Sequence, residues 1–229
     1  LPISRNNEDE QLPRNVIPHP TGLTHHPDHD AFIGNTDDGD GTIYSLHFLG
    51  LTESGSLDDW ITNKVIDDLA TNGTRPEFVR YNGQWVIATA DNSDQGSQLR
   101  LYDPAKLKKA SKTSDEDVLI AAFDCGPFVQ SLHWIDETST LVMTQNQATG
   151  LGYRLTLLDL NPIPTDQPGT VVQPSPIGNL PPSLKRTLDL NQPADQLTGF
   201  AVVAPGWAVM TSASKENNVT IIRWPIETE

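Results

Sequence analysis

Short runs of carboxylates and carboxamides recur along the chain: Asp37, Asp38 and Asp40; Asp91, Asn92 and Asp94; Gln145 and Asn146; then Lys215, Glu216 and Asn217. Ionised carboxylates accept several hydrogen bonds and carboxamides both donate and accept, so such runs suit polar ligands. Paired acids also suit general acid and base chemistry when their separation and burial are right. The run Asn35-Thr36-Asp37-Asp38-Gly39-Asp40-Gly41 has the look of a calcium loop but lacks the alternating acids and the twelfth-position Glu of that motif. No cofactor is expected, and the one cation these acids could hold is a loosely bound calcium on Asp37, Asp38, Asp40 and backbone carbonyls. His19, His25, His26 and His29 interleave with Asp28 and Asp30, ligand types that suit zinc. His25 and His26 are neighbours on an extended segment and point to opposite faces, and His19 lies at its other end, so a solvated histidine-rich turn is expected there. There is no G-x-S-x-G, no H-E-x-x-H and no phosphate loop, and Ser212-Ala213-Ser214-Lys215 lacks the companions that give S-x-x-K meaning. No catalytic residue is assigned.

Composition narrows the classes. The 229 residues can bury a core without staples, and 18 Pro with 16 Gly favour many short strands over long helices. A formal charge of −15 opposes phosphate backbones and anionic lipid alike. No apolar run has the length of a membrane span. Cys125 is the single cysteine, so no intramolecular disulfide forms. The sequons Asn72-Gly73-Thr74 and Asn218-Val219-Thr220, with a first residue Leu1 rather than Met, lead to an extracellular or periplasmic expectation.

The polar runs interrupt a repeated phrase. Ala31–Asn35 with Thr42–Phe48, Trp85–Thr89 with Gln98–Pro104, Leu141–Thr144 with Tyr153–Asp159, and Ala208–Thr211 with Val219–Pro225 each pair two strand-forming stretches across a polar loop. A further apolar segment precedes each pair, at Thr21–His25, Glu77–Tyr81, Phe128–Trp134 and Leu197–Val203, with Asn82-Gly83 and Pro205-Gly206 as turns. Fourth strands follow three of the units, at 64–69, 117–123 and 184–190. This pattern resembles the β-propeller superfamily in architecture, without the Trp-Asp of WD40 repeats. The expectation is all-β: one propeller domain over 1–229, with four visible four-stranded blades at 18–70, 71–123, 124–190 and 191–229. The last unit lacks a fourth strand, and Leu12–Ile17, within an N-terminal segment 1–17, stands where one is needed; an N-terminal strand closing the final blade is expected.

Between strands, Asp103-Pro104 is expected to cap a short helix, and Ser56–Ile61 another. Lys106, Lys108, Lys109 and Lys112 are expected to form a solvated face. Trp85, Trp134 and Trp207 are expected to fill space between blades.

With strands a to d in each blade, the b-to-c and d-to-a loops emerge on one face. That face is expected to gather His19, Asp37, Asp38, Asp40, Arg75, Asp91, Asp94, Asp124, Gln145 and Asn146 as binding residues, with Asn92, Asp195, Lys215, Glu216 and Asn217 beside them. The functional expectation is a noncatalytic binding or scaffold disk for a protein, peptide or glycan, without nucleic acid or membrane insertion. Two alternatives stand beside it: a metal-assisted hydrolase or lactonase with carboxylates at the channel mouth, and a structural subunit of a larger assembly.

Overall fold

The computed structural model describes residues 17–37, 40–47, 57–72, 75–94, 97–146, 152–160, 183–190, 197–213 and 219–224. They form four antiparallel meanders, each ordered as the chain runs. Blade 1 holds β1 (Pro20–His26), β2 (Asp30–Asp37), β3 (Asp40–Leu46) and β4 (Ile61–Asp67). Blade 2 holds β5 (Glu77–Tyr81), β6 (Gln84–Ala90), β7 (Gln98–Tyr102) and β8 (Leu119–Asp124). Blade 3 holds β9 (Val129–Ile135), β10 (Thr140–Asn146), β11 (Tyr153–Asp159) and β12 (Ser183–Leu190). Blade 4 holds β13 (Leu197–Ala204), β14 (Trp207–Ser212) and β15 (Val219–Arg223), a three-stranded sheet. The first strands lie innermost, β1 against β5, β5 against β9 and β9 against β13, giving a four-bladed propeller-like ring.

Burial follows from position in the blade. The second strands are covered by sheet neighbours on both sides and by adjacent blades on both faces, so β6 and β10 are buried along nearly all their length. Outer strands keep only one covered face, and β4 alternates exposed and covered residues with a period of two. Side chains between blades make three apolar cores among the described residues. Phe32, Ile43, Ile87 and Tyr102 join blades 1 and 2; Val86, Leu99, Trp134 and Met143 join blades 2 and 3; Val142, Leu155, Phe200 and Ala208 join blades 3 and 4. Each large apolar side chain so covered contributes about 1.5–3 kcal/mol. The β5–β6 turn has Asn82 at φ 50° and Gly83 at φ 77°, the doubly left-handed geometry of a tight hairpin.

Two peripheral expectations change. The loop after β7 starts with α1 (Pro104–Leu107), whose cap Asp103 accepts from the Ala105 and Lys106 amides as expected. Beyond it, Ser111–Thr113 lie parallel along β4, with Ile66 N donating to Ser111 O at 3.0 Å and Thr113 N to Ile66 O at 2.9 Å. Blade 2 thereby covers the outer edge of blade 1. Lys108 keeps a side chain 40% exposed, and its ammonium hydrogen-bonds Asp30 of blade 1, which also contacts His47 Nδ1 at 3.2 Å. Trp85 and Trp134 pack between blades, but Trp207 is 42% exposed and carries the Arg223 guanidinium 5.0 Å above its ring. Of the expected closing strand, Leu12–Val16 lie outside the described residues, while Ile17 is buried. Ser56 and the proline-rich stretch 161–182 also lie outside them.

Candidate functional site

Near the end of the second strand in blades 1, 2 and 3 a polar side chain ties three segments together. In blade 1, Asn35 donates to Thr42 Oγ1 on β3 at 3.0 Å and accepts from His19 N at 2.9 Å, while Thr36 N donates to His19 O. In blade 2, Asp91 takes a bidentate pair from Arg100 of β7 at 2.8 and 2.9 Å, accepts from Thr71 N and Gln98 N, and the next amide, Asn92 N, donates to Asn72 O. In blade 3, Gln145 accepts from Thr156 Oγ1 of β11 and donates to Cys125 O and Pro127 O, and Asn146 N donates to Phe128 O. The loops entering strand a are unstructured in sequence terms, and their amides and carbonyls need partners once buried. The b-strand clamp supplies those partners. Asp91, Gln145 and the backbone of His19 are thus engaged internally, and Asp91 and Arg100 are almost fully buried.

The clamps of blades 2 and 3 meet in one seam. Phe128 sits at φ 55°, a left-handed conformation that costs a bulky residue on the order of 1–2 kcal/mol. It is held there by its own N–H to Ser93 O at 2.8 Å, by Val129 N to Asp91 O, and by Asn146 N to its carbonyl. Beside it, Asn92 Oδ1 and Asn146 Oδ1 are buried with no hydrogen-bond partner. Arg75, from the loop entering β5, reaches across the ring: Nε donates to Gln130 O of β9 and Nη1 to Asn72 O, both at 3.2 Å. Burial lowers the Arg75 pKa to about 10, opposed by the charge of Asp91, so it stays a cation at neutral pH. Asn72 O accepts from both Arg75 and Asn92 N, which ties the guanidinium to the Asn92 end of the seam.

The remaining expected residues distribute around this rim. Asp94 is exposed beside the seam, and Asp124 is exposed as the last residue of β8 rather than in the following loop. His19 is exposed at blade 1. Asp37 and Asp40 pair with each other across the β2–β3 turn. Asp38, Asp195, Lys215, Glu216 and Asn217 lie outside the described residues. Cys125, next to Asp124, has its thiol pushed up to about 12 by burial. The histidine-rich turn is only partly solvated: the His26 ring lies 4.5 Å from Trp85 and 5.5 Å from Phe78, centroid to centroid, and burial lowers its pKa. Among the described residues, no three His, Cys, Asp or Glu side chains group as a metal ion requires.

One acid and base pair escaped the sequence reading. Glu77 opens β5 and turns inward, where Oε1 accepts from Trp134 N at 2.9 Å and lies 3.9 Å from His133 Nδ1. His133 Nε2 accepts from Val202 N of β13 at 3.0 Å. Burial pushes the Glu77 carboxyl up to about 7, against the Trp134 and Thr24 hydrogen bonds, and the same burial lowers His133. A charged residue just after Pro76 on an innermost strand was the one signal available. A shallow cleft of about 30 Å³ lies on the opposite face between blades 3 and 4, near Thr138, Lys185 and Trp224. Its Lys185 ammonium is already bonded to Thr138 O and Thr140 Oγ1, so we place the candidate site at the seam.

No protein-family model matches the chain. No curated protein matches it in sequence. Among solved structures it is similar to the hydrazine synthase of Kuenenia stuttgartiensis, with a TM-score of 0.47 and 11% identity over 96% of this chain. The match covers 66% of that protein's chain, just under two thirds of its length.

Proposed function

We propose that the protein is a noncatalytic binding module that presents the face of its b-to-c and d-to-a loops to a protein, peptide or glycan. The observation that supports this reading is the seam between blades 2 and 3. A strained Phe128 and two buried amide oxygens without partners stand side by side there. A buried acceptor left unpaired costs about 1–3 kcal/mol, and strain of this kind persists where a ligand uses it. The exposed Asp94 and Asp124 flank the seam and make its border acidic. Immobilised protein is to be probed with peptide and glycan arrays in the presence of chelator. The paired reversals Asp94→Lys and Asp124→Lys should weaken the retained ligands about tenfold or more, as loss of close charge pairs does at interfaces. Glu116→Lys with Glu137→Lys, on the opposite face, should leave retention unchanged. Binding that follows the second pair, or that needs a metal, would overturn the reading.

Closure of the ring belongs to the same reading: residues 12–17 add a fourth strand outside β15. Among the described residues blade 4 alone has three strands, and its outer strand shows Val219 and Ile221 at 58% and 67% exposure. The buried Ile17 leads directly through Pro18-His19 into β1, in the place where β8 leads into β9. Deleting residues 1–16 should lower the melting temperature and abolish hydrogen-exchange protection of the Val219 and Ile221 amides. Unchanged protection would refute closure by this segment.

A further inference from the structure

We propose that Arg75 binds the carboxylate of a peptide whose neighbouring residues are basic, for example a free C-terminus preceded by lysine or arginine; this rests on the seam being the binding face. The argument starts from charge. Arg75 is 8% exposed, and its fixed fork carries five N–H donors. Among the described residues its bonds are to two neutral carbonyls, of Gln130 and Asn72. Among the described residues it forms no ion pair. Asp91 is the acid that acts on it, but both Asp91 oxygens are taken by the fork of Arg100 and by two backbone amides. Among the described residues Arg75 therefore has no carboxylate paired with it directly. Uncompensated buried charge is among the most destabilising features a protein keeps. A planar fork selects a carboxylate that can meet it with two oxygens.

Two observations narrow the ligand further. The chain carries −15, so its field rejects polyanions such as nucleic acids or multiply sulfated glycans. Asp94 and Asp124 stand exposed at the same border and favour cations beside the captured carboxylate. A uronic acid brings the carboxylate but not the basic flank.

The test uses two synthetic tetrapeptide libraries with lysine fixed at the second and third residues from the C-terminus, one ending in a free carboxylate and the other in an amide. Fluorescence anisotropy is read against the full chain, with an oligouronate as the glycan probe. The free-acid library should bind about tenfold or more tightly than the amide library, the size expected of a charge-assisted bidentate contact. Arg75→Met should bring the acid library down to the amide level while melting no lower than the parent, since it removes a buried cation with no directly paired carboxylate among the described residues. Equal binding of acid and amide, still sensitive to Asp94→Lys with Asp124→Lys, would sink the carboxylate assignment and leave the binding face intact. Oligouronate binding in place of the peptides would sink the peptide class, and indifference of every probe to the rim variants would remove the face itself. Should Arg75→Met fail to fold, the acid and amide comparison on the unaltered protein still decides.

Discussion

Asp91 and Glu77 illustrate two ways in which a buried carboxylate is kept. Asp91 stays ionised because Arg100 closes a two-bond fork on it and backbone amides complete its shell. Replacing it by Asn leaves the buried Arg100 fork without the carboxylate it is paired to. Asp91→Asn should therefore cost about 3–5 kcal/mol in urea unfolding, far more than a surface ion pair would. Glu77 is kept by protonation. Its folded pKa near 7 exceeds the unfolded value of 4.5, so the folded state holds the extra proton between those limits. The resulting stability is complete below about pH 4.5, falls as pH rises, and is gone above about 7, a span worth on the order of 3 kcal/mol. His133 acts in the other sense, since its lowered pKa costs stability as pH falls below its ordinary value of 6.5. Glu77→Gln mimics the protonated acid: it should match the parent at pH 5 and exceed it at pH 8 by on the order of 1–3 kcal/mol. A variant less stable than the parent at pH 8 would mean that the carboxylate is charged and paired with His133.

At the scale of the element, turns and edges set the register. The Asn82-Gly83 hairpin demands two left-handed residues in succession, and a Cβ at Gly83 would meet open space, so sterics with neighbours play no part. Gly83→Ala should cost about 1 kcal/mol through backbone strain alone, read as a lower urea midpoint with an unchanged m-value. This turn, the Asp103-Pro104 cap and the blade meanders were legible because local rules dictate them. The peripheral loop 111–113 was not legible, because its pairing partner Ile66 lies in another blade and is a half-exposed residue with no local signal. The contact of Lys108 with Asp30 was not legible for the same reason: the two lie 78 residues apart.

For the whole molecule, stability is shared between neighbouring blades, each of which buries its central strands only against the next. That arrangement makes the outer edge of blade 4 the vulnerable point. If residues 12–17 close that blade as proposed, removal of residues 1–16 leaves β15 as an unpaired strand, and the truncated protein should associate in a concentration-dependent way in sedimentation experiments, as open edges do. A truncated chain that remains monomeric with the parent's melting temperature would argue for a different cover on that edge.

The sequence by itself determined the repeated strand unit, the four-bladed count and the sorting of polar loops onto one face, because hydrophobic period and turn chemistry act over a few residues. It also placed Arg75, Asp91, Gln145 and Asn146 on that face. Only the tertiary structure decided that Asp91 and Gln145 spend their polar atoms inside the blades. It alone set Phe128 in a left-handed conformation, bonded the buried Arg75 to the carbonyls of Gln130 and Asn72, and brought Glu77 to His133. Those outcomes depend on which partner each buried donor, acceptor or charge meets across a blade boundary, and in a low-dielectric interior that partner settles both energy and protonation.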